Sequence, residues 1–248
     1  MPAKLKIHLI PEKEISYHSA SVFHGWLMSY LSGEYADRLH GEGMRPYSQF
    51  ISREDGEFYW NVSALDDEAK ERIILPLLND TDEIYIEHSD NRVVFGAKAL
   101  TELSYGTLFK NSYLSDGINR FIDLRILTPI SFKSQKKYVN YPDLHLFYSS
   151  LVNRFNALSD STFLPEDIVD SLTENSEISR YDLRSTAFHV DGAKIRAFWG
   201  RLRVRVFGTP QLAALADMLF RFGEFSGIGI KTALGMGAIE VIKGGENG

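Results

Sequence analysis

The order in which strand-like and helix-like stretches follow one another constrains this chain more than any single motif. "KLKIHLI" alternates as a strand does, and "SASVFHGWLMSYLSGEYADRLH" has helical spacing interrupted near Gly33. "YSQFIS" and "GEFYWNVSAL" then flank Asp55-Gly56, a strong signal for a two-residue hairpin turn. "DDEAKERIILPLLND" supplies acids at a helix start and an apolar face, which Pro76 must shorten or kink. "DEIYIEHSDNRVVFGAKAL" completes this half with strand material. The order is strand, helix, two strands, helix, strand.

The second half repeats it. "NRFIDLRILTPISF" reads as a long strand and "YPDLHLFYSSLVNRFNAL" as a helix whose apolar positions recur every three and four residues. "SRYDLRSTAFHV" and "AKIRAFWGRLRVRVFG" alternate on either side of Asp191-Gly192. "TPQLAALADMLFRFGEF" is a helix with Thr209 at its N-cap and Pro210 at its first position, and "AIEVI" is a last short strand. Two βαββαβ units, each ferredoxin-like, account for nearly every segment and make the chain α+β. The 248 residues suffice for two such domains, expected at 1–118 and 119–248 with the join in polar "KNSYLSDGIN".

Composition removes several classes of function. With no cysteine, neither a disulfide framework nor a thiolate metal site can form. The amino terminus does not pair basic residues with an apolar run as a signal peptide does, and no apolar stretch approaches the roughly 20 residues that span a bilayer. A cytoplasmic protein without membrane partners is the expectation. The net charge of −6 argues against indiscriminate polyanion binding, yet a small basic surface can sit inside an acidic total.

"FSGIGIKTALGMGAIEVI" carries Gly227, Gly229, Gly235 and Gly237, and glycine loops often cradle phosphate. The two common nucleotide loops do not fit. A P-loop needs Gly-Lys-Ser/Thr, whereas Lys231 follows Ile230 and Gly235 precedes Met236. The dinucleotide fingerprint needs glycine at position 232, which is Thr232, and runs from strand to helix where this loop runs from helix to strand.

Arg180, Arg184, Lys194, Arg196, Arg201, Arg203 and Arg205 crowd the second hairpin. Lys133, Lys136 and Lys137 cluster near Tyr138 and Tyr141. Basic residues interleaved with aromatics suit an RNA backbone and unstacked bases, and a solvated sheet face or surface loop has the same composition. None of the seven histidines has the paired spacing of a zinc hydrolase, so no metal ligand set is assigned. His24 and His40 stand apart because each lies near a helix end in the first half, and His40 leads into "GEGMRPYSQF" with Arg45, Tyr47 and Ser48. No Gly-x-Ser-x-Gly elbow supports serine catalysis.

Taken together, "LHGEGMRPYSQF", "LTPISFKSQKKYVNYPDL" and the glycine loop resemble the CRISPR-associated endoribonucleases that process precursor CRISPR RNA, the Cas six family. The family's signature is Gly-x-Gly, a gap, then Gly-x-Gly between the last helix and last strand, which Gly227, Gly229, Gly235 and Gly237 match. The resemblance implies that this loop, with Lys231 and Thr232, approaches the RNA backbone, and that cleavage needs no metal or other cofactor. A ribose 2′-hydroxyl would attack the adjacent phosphorus, leaving a 2′,3′-cyclic phosphate and a 5′-hydroxyl. It implies His40 as catalytic acid or base, with His24 as a second candidate. Where the family often has a lysine after the histidine, Arg45 is the nearest basic residue here. CRISPR repeat RNA is the implied partner, within or apart from a CRISPR effector complex. Related proteins that bind RNA without cutting it supply one alternative, and a metabolic enzyme with an anion on the loop supplies another.

Overall fold

The computed structural model describes residues 2–242 except 32, 42, 114–118, 160–162, 166 and 191, and the side chains of these except those of His40 and His88. Contacts between Cα atoms divide the chain into two units: Met1–Leu103 with Lys231–Gly235, and Ser104–Ile230 with Met236–Gly248.

In the first unit β1 (Ala3–Pro11) leads to α1 (Ala20–Tyr30) and α2 (Gly33–His40), then to the hairpin of β2 (Tyr47–Glu54) and β3 (Glu57–Ala64). Asp55 and Gly56 take φ of 49° and 92°, the left-handed pair that a two-residue turn between twisted strands requires. A helical segment follows as α3 (Asp67–Ala69), a π-turn at Lys70–Ile74 and α4 (Leu75–Asn79), and then β4 (Glu83–Ile86) and β5 (Asn91–Glu102). The π-turn lies immediately before Pro76, with the Leu75 amide donating to the Lys70 carbonyl. Proline cannot donate the next bond, and the widened turn is how the helix accommodates it. The antiparallel sheet has the order β2-β3-β1-β5-β4, the ferredoxin-like order with β4 added at one edge. Ala3, Leu5, Ile7 and Leu9 of β1 alternate into its core, where Phe23, Leu27 and Trp60 are wholly buried. Phe23 and Trp60 meet edge to face with ring centroids 5.1 Å apart.

The second unit starts with α5 (Tyr105–Tyr113), so the division falls after Leu103 and not at residue 118. Tyr105 packs on Phe155 and Phe222, which explains why this helix belongs to the second core. Next come β6 (Phe121–Ile130), the small hairpin β7 (Phe132–Ser134) and β8 (Lys137–Val139), α6 (Leu144–Leu158), α7 (Ile168–Glu174), β9 (Ser176–Val190) and β10 (Ala193–Val206). The unit closes with α8 (Pro210–Ser226) and β11 (Ile239–Ile242). Thr209 caps α8 as expected, its side chain accepting from the Leu212 amide. The sheet order β11-β6-β10-β9 is again ferredoxin-like. The expected turn residue Asp191 lies outside the described residues, but β9 and β10 pair as one antiparallel hairpin.

Candidate active site

His24 sits one turn into α1 and is 9% exposed. Its Nδ1 is 2.7 Å from the hydroxyl of Tyr47, the first residue of β2, and the two rings are nearly parallel at 17°. Burial pushes the Tyr47 hydroxyl well above the usual phenol range against an opposing pull from Arg45. Arg45, two residues earlier, donates from Nε to the Leu39 carbonyl at 2.9 Å. That bond ties the strand entrance to the last turn of α2, whose final residue is His40; the His40 side chain lies outside those described. A cleft of about 200 Å³ opens beside this contact, lined by Tyr35, Arg38, Met44, Arg45, Pro46 and Glu68 among others. The Tyr35 hydroxyl is buried and has no hydrogen-bond partner among the described residues.

The turn at Thr232–Leu234 packs on both α1 and β2. Gln49, 1% exposed, makes that junction specific. Its Nε2 donates to the carbonyls of Ala20 at 2.7 Å and Ala233 at 2.9 Å, while its Oε1 accepts from Trp60 Nε1 at 2.8 Å. Every polar position of the amide except one acceptor lone pair is used. Gln49→Leu strands an indole N–H and two carbonyls in the core, and we expect a loss of about 2–4 kcal/mol, read as a lower urea midpoint at unchanged slope. An unaltered midpoint would show that the junction does not depend on this amide.

The glycine loop differs from the expected anion cradle. The amides of Gly227, Ile228, Gly229, Ile230 and Gly237 donate within the protein, to Gly223 O, Gly237 O, Ser150 Oγ, Ser131 O and Pro129 O, at 2.8–3.0 Å. A Cβ on Gly229 would lie 2.4 Å from Ser131 O, and one on Gly237 would lie 2.1 Å from Ile228 O. These two glycines are therefore explained by close backbone packing inside the fold. Gly227, Thr232, Gly235 and Gly237 are buried, while Gly229 and Lys231 are half-buried. Arg154 of α6 donates to Gly229 O at 3.2 Å, and burial lowers its guanidinium pKa to about 10. Among the helix's apolar residues Arg154 offers no local signal, and the sequence reading missed it, as it missed Gln49.

The lysine cluster forms an exposed hairpin. Lys133 of β7 stands opposite Tyr138 of β8, Gln135 and Lys136 make the left-handed turn, and Lys137 begins β8. Its neighbour Ser131 anchors Ile230, so the hairpin and the loop's first half are joined within the second unit. Arg180, Arg184 and Arg196 are exposed on the long hairpin of β9 and β10. Arg203 and Arg205, by contrast, meet carboxylates brought in by neighbouring strands: Arg203 grips Asp123 at 2.7 and 2.9 Å, and Arg205 lies 3.6 Å from Glu177. Across the described residues no group of three or more histidine or carboxylate side chains is placed to hold a metal ion, and no helix is long and apolar enough to cross a membrane.

Residues 124–239 match the family model described as CRISPR-associated endoribonuclease Cas6. A CRISPR-associated endoribonuclease Cas6 of Streptococcus thermophilus is 33% identical over 227 residues, covering 88% of this chain and 89% of that one. The chain belongs to the Cas6 family. A second Cas6 relative, from Mycobacterium tuberculosis, is 29% identical over 221 residues, covering 88% of this chain and 70% of that protein. Among solved structures, a Cas6 product complex from Thermus thermophilus superposes with a TM-score of 0.80 over 98% of this chain and 100% of that one. At 21% identity, that likeness is one of fold. The family match extends through most of the second unit's sheet and both of its long helices, whereas the His24, Tyr47 and Arg45 cluster lies in the first unit, outside the matched span.

Proposed function

We propose that this Cas6 family member cuts CRISPR repeat RNA and so generates crRNA. The attacking group is a ribose 2′-hydroxyl, and the products carry a 2′,3′-cyclic phosphate and a 5′-hydroxyl. The observation that carries this reading is the junction of α1, the end of α2 and the start of β2, which draws His24 and Arg45 into one unit with the backbone of His40. Attack by the 2′-oxygen needs a group to take its proton, a group to protonate the departing 5′-oxygen, and positive charge for the phosphorane. His40 and His24 are assigned the proton transfers because imidazole exchanges protons near neutral pH. Arg45 is assigned the charge, since a guanidinium stabilises phosphoryl oxygens well and donates protons poorly. Lys133, Lys136, Lys137, Arg180, Arg184, Arg196 and Lys231 hold the RNA backbone. The protein acts in the cytoplasm, alone or with a CRISPR effector complex.

Incubation with repeat RNA in excess EDTA, followed by mapping of the ends, tests this. Cleavage at one position with a cyclic phosphate end is expected. Activity abolished by chelation and restored by magnesium would contradict the metal-free reaction. Tight, salt-sensitive binding without any cleavage would point to a noncatalytic RNA-binding subunit instead.

A further inference from the structure

We propose that Tyr47 is a positioning residue for His24: its hydroxyl holds the Nδ1 side of the ring, so that proton exchange with RNA takes place at Nε2. The proposal rests on the reading above, in which His24 takes part in proton transfer. Tyr47 is 0% exposed, and an apolar site of that kind is filled as well by phenylalanine. A phenol removed from water costs free energy unless a partner meets its hydroxyl. Among the described residues the hydroxyl meets His24 Nδ1 at 2.7 Å and Met28 Sδ at 3.9 Å, both on α1.

The pairing suits a group that must lose and regain a proton without turning. Exchange at Nε2 leaves Nδ1 protonated in both the imidazolium and the neutral ring, and in both the hydroxyl accepts from Nδ1–H with its own hydrogen directed to the Met28 sulfur. The contact therefore survives both protonation states of the ring. Because burial keeps the phenol protonated, the partner also stays neutral and adds no charge to the site. Tyr47 lies two residues after Arg45, which donates to the Leu39 carbonyl, so one strand entrance carries both the partner of the His24 ring and a tie to the backbone at the end of α2.

The test compares the parent, Tyr47→Phe, His24→Ala and the double variant in single-turnover cleavage of repeat RNA, with RNA affinity measured alongside. Tyr47→Phe is expected to cut about 10-fold more slowly, the effect of one net hydrogen bond, with affinity within about two-fold. In the His24→Ala background the same change is expected to add nothing, because Tyr47 acts through that ring. Nitrogen NMR of the His24 ring gives a reading independent of activity: the parent should show a hydrogen-bonded Nδ1, and Tyr47→Phe should shift it. An Nδ1 without that signature in the parent, or equal slowing in both backgrounds, overturns the proposal. If the NMR shows the bond but His24→Ala cuts at the parental rate, the fault lies in the assignment of His24 to proton transfer, and the proposal falls with it.

Discussion

His40→Ala is expected to lower the single-turnover cleavage rate by about 10²- to 10⁴-fold while leaving RNA affinity within a few-fold. The reason is a division of labour. Exposed cations at Lys133, Lys136, Lys137, Arg180, Arg184 and Arg196 all lie in the second unit, and in the proposed reading they hold the RNA before and after the reaction alike. A group that exchanges a proton is needed mainly in the transition state, so its removal affects rate and not binding. His24→Ala separates two forms of the site. A comparable loss means that both histidines share the transfers, and a small loss leaves His40 acting with Arg45 or a tyrosine. Arg45→Lys retains the charge but cannot reproduce the bond from Nε to Leu39 O in the same geometry, so an intermediate loss is consistent with Arg45 both anchoring α2 and carrying charge.

Gly237→Ala is expected to destabilise the protein by at least about 3 kcal/mol, seen as a lower urea midpoint. Its φ of 78° is unfavourable for a residue with a Cβ, and that atom would lie 2.1 Å from Ile228 O. Relief requires moving the backbone, which also strains the bonds from Ile228 N to Gly237 O and from Gly237 N to Pro129 O. Gly229→Ala, with φ of 84° and a contact of 2.4 Å to Ser131 O, should behave alike. A variant that unfolds at the parental midpoint yet binds RNA weakly would return these glycines to the role of admitting an RNA backbone.

The glycine loop also shows where local reading stops. Its spacing, between a helix and a short strand, was legible as a family mark, but the reason for the spacing lies in partners far along the chain. Ser150 and Arg154 reach Gly229 across 79 and 75 residues, and Gln49 reaches Ala233 across 184. Strand alternation and the Asp55-Gly56 turn were legible because they depend on neighbours, and they suffice for two ferredoxin-like units. Helix α5 was not, because what fixes it in place is Tyr105 meeting Phe155 and Phe222. The same holds for the candidate site. His24 and Arg45 are candidates by residue type, but the Tyr47 hydroxyl becomes meaningful only once β2 lies against α1. The basic hairpin carried the opposite lesson: Arg203 and Arg205 are cations in sequence and ion-paired in the sheet, since β6 and β9 bring Asp123 and Glu177 beside them.

The most direct measurement is cleavage of a repeat RNA carrying one 2′-deoxyribose immediately 5′ to the scissile phosphate. If the RNA's own 2′-oxygen is the nucleophile and the protein supplies proton transfer and charge, this substrate binds with unchanged affinity and is not cut, even over times that exhaust the all-ribose RNA. Cleavage of the deoxy substrate at the normal position and rate would contradict the account, because the attacking oxygen would then come from water.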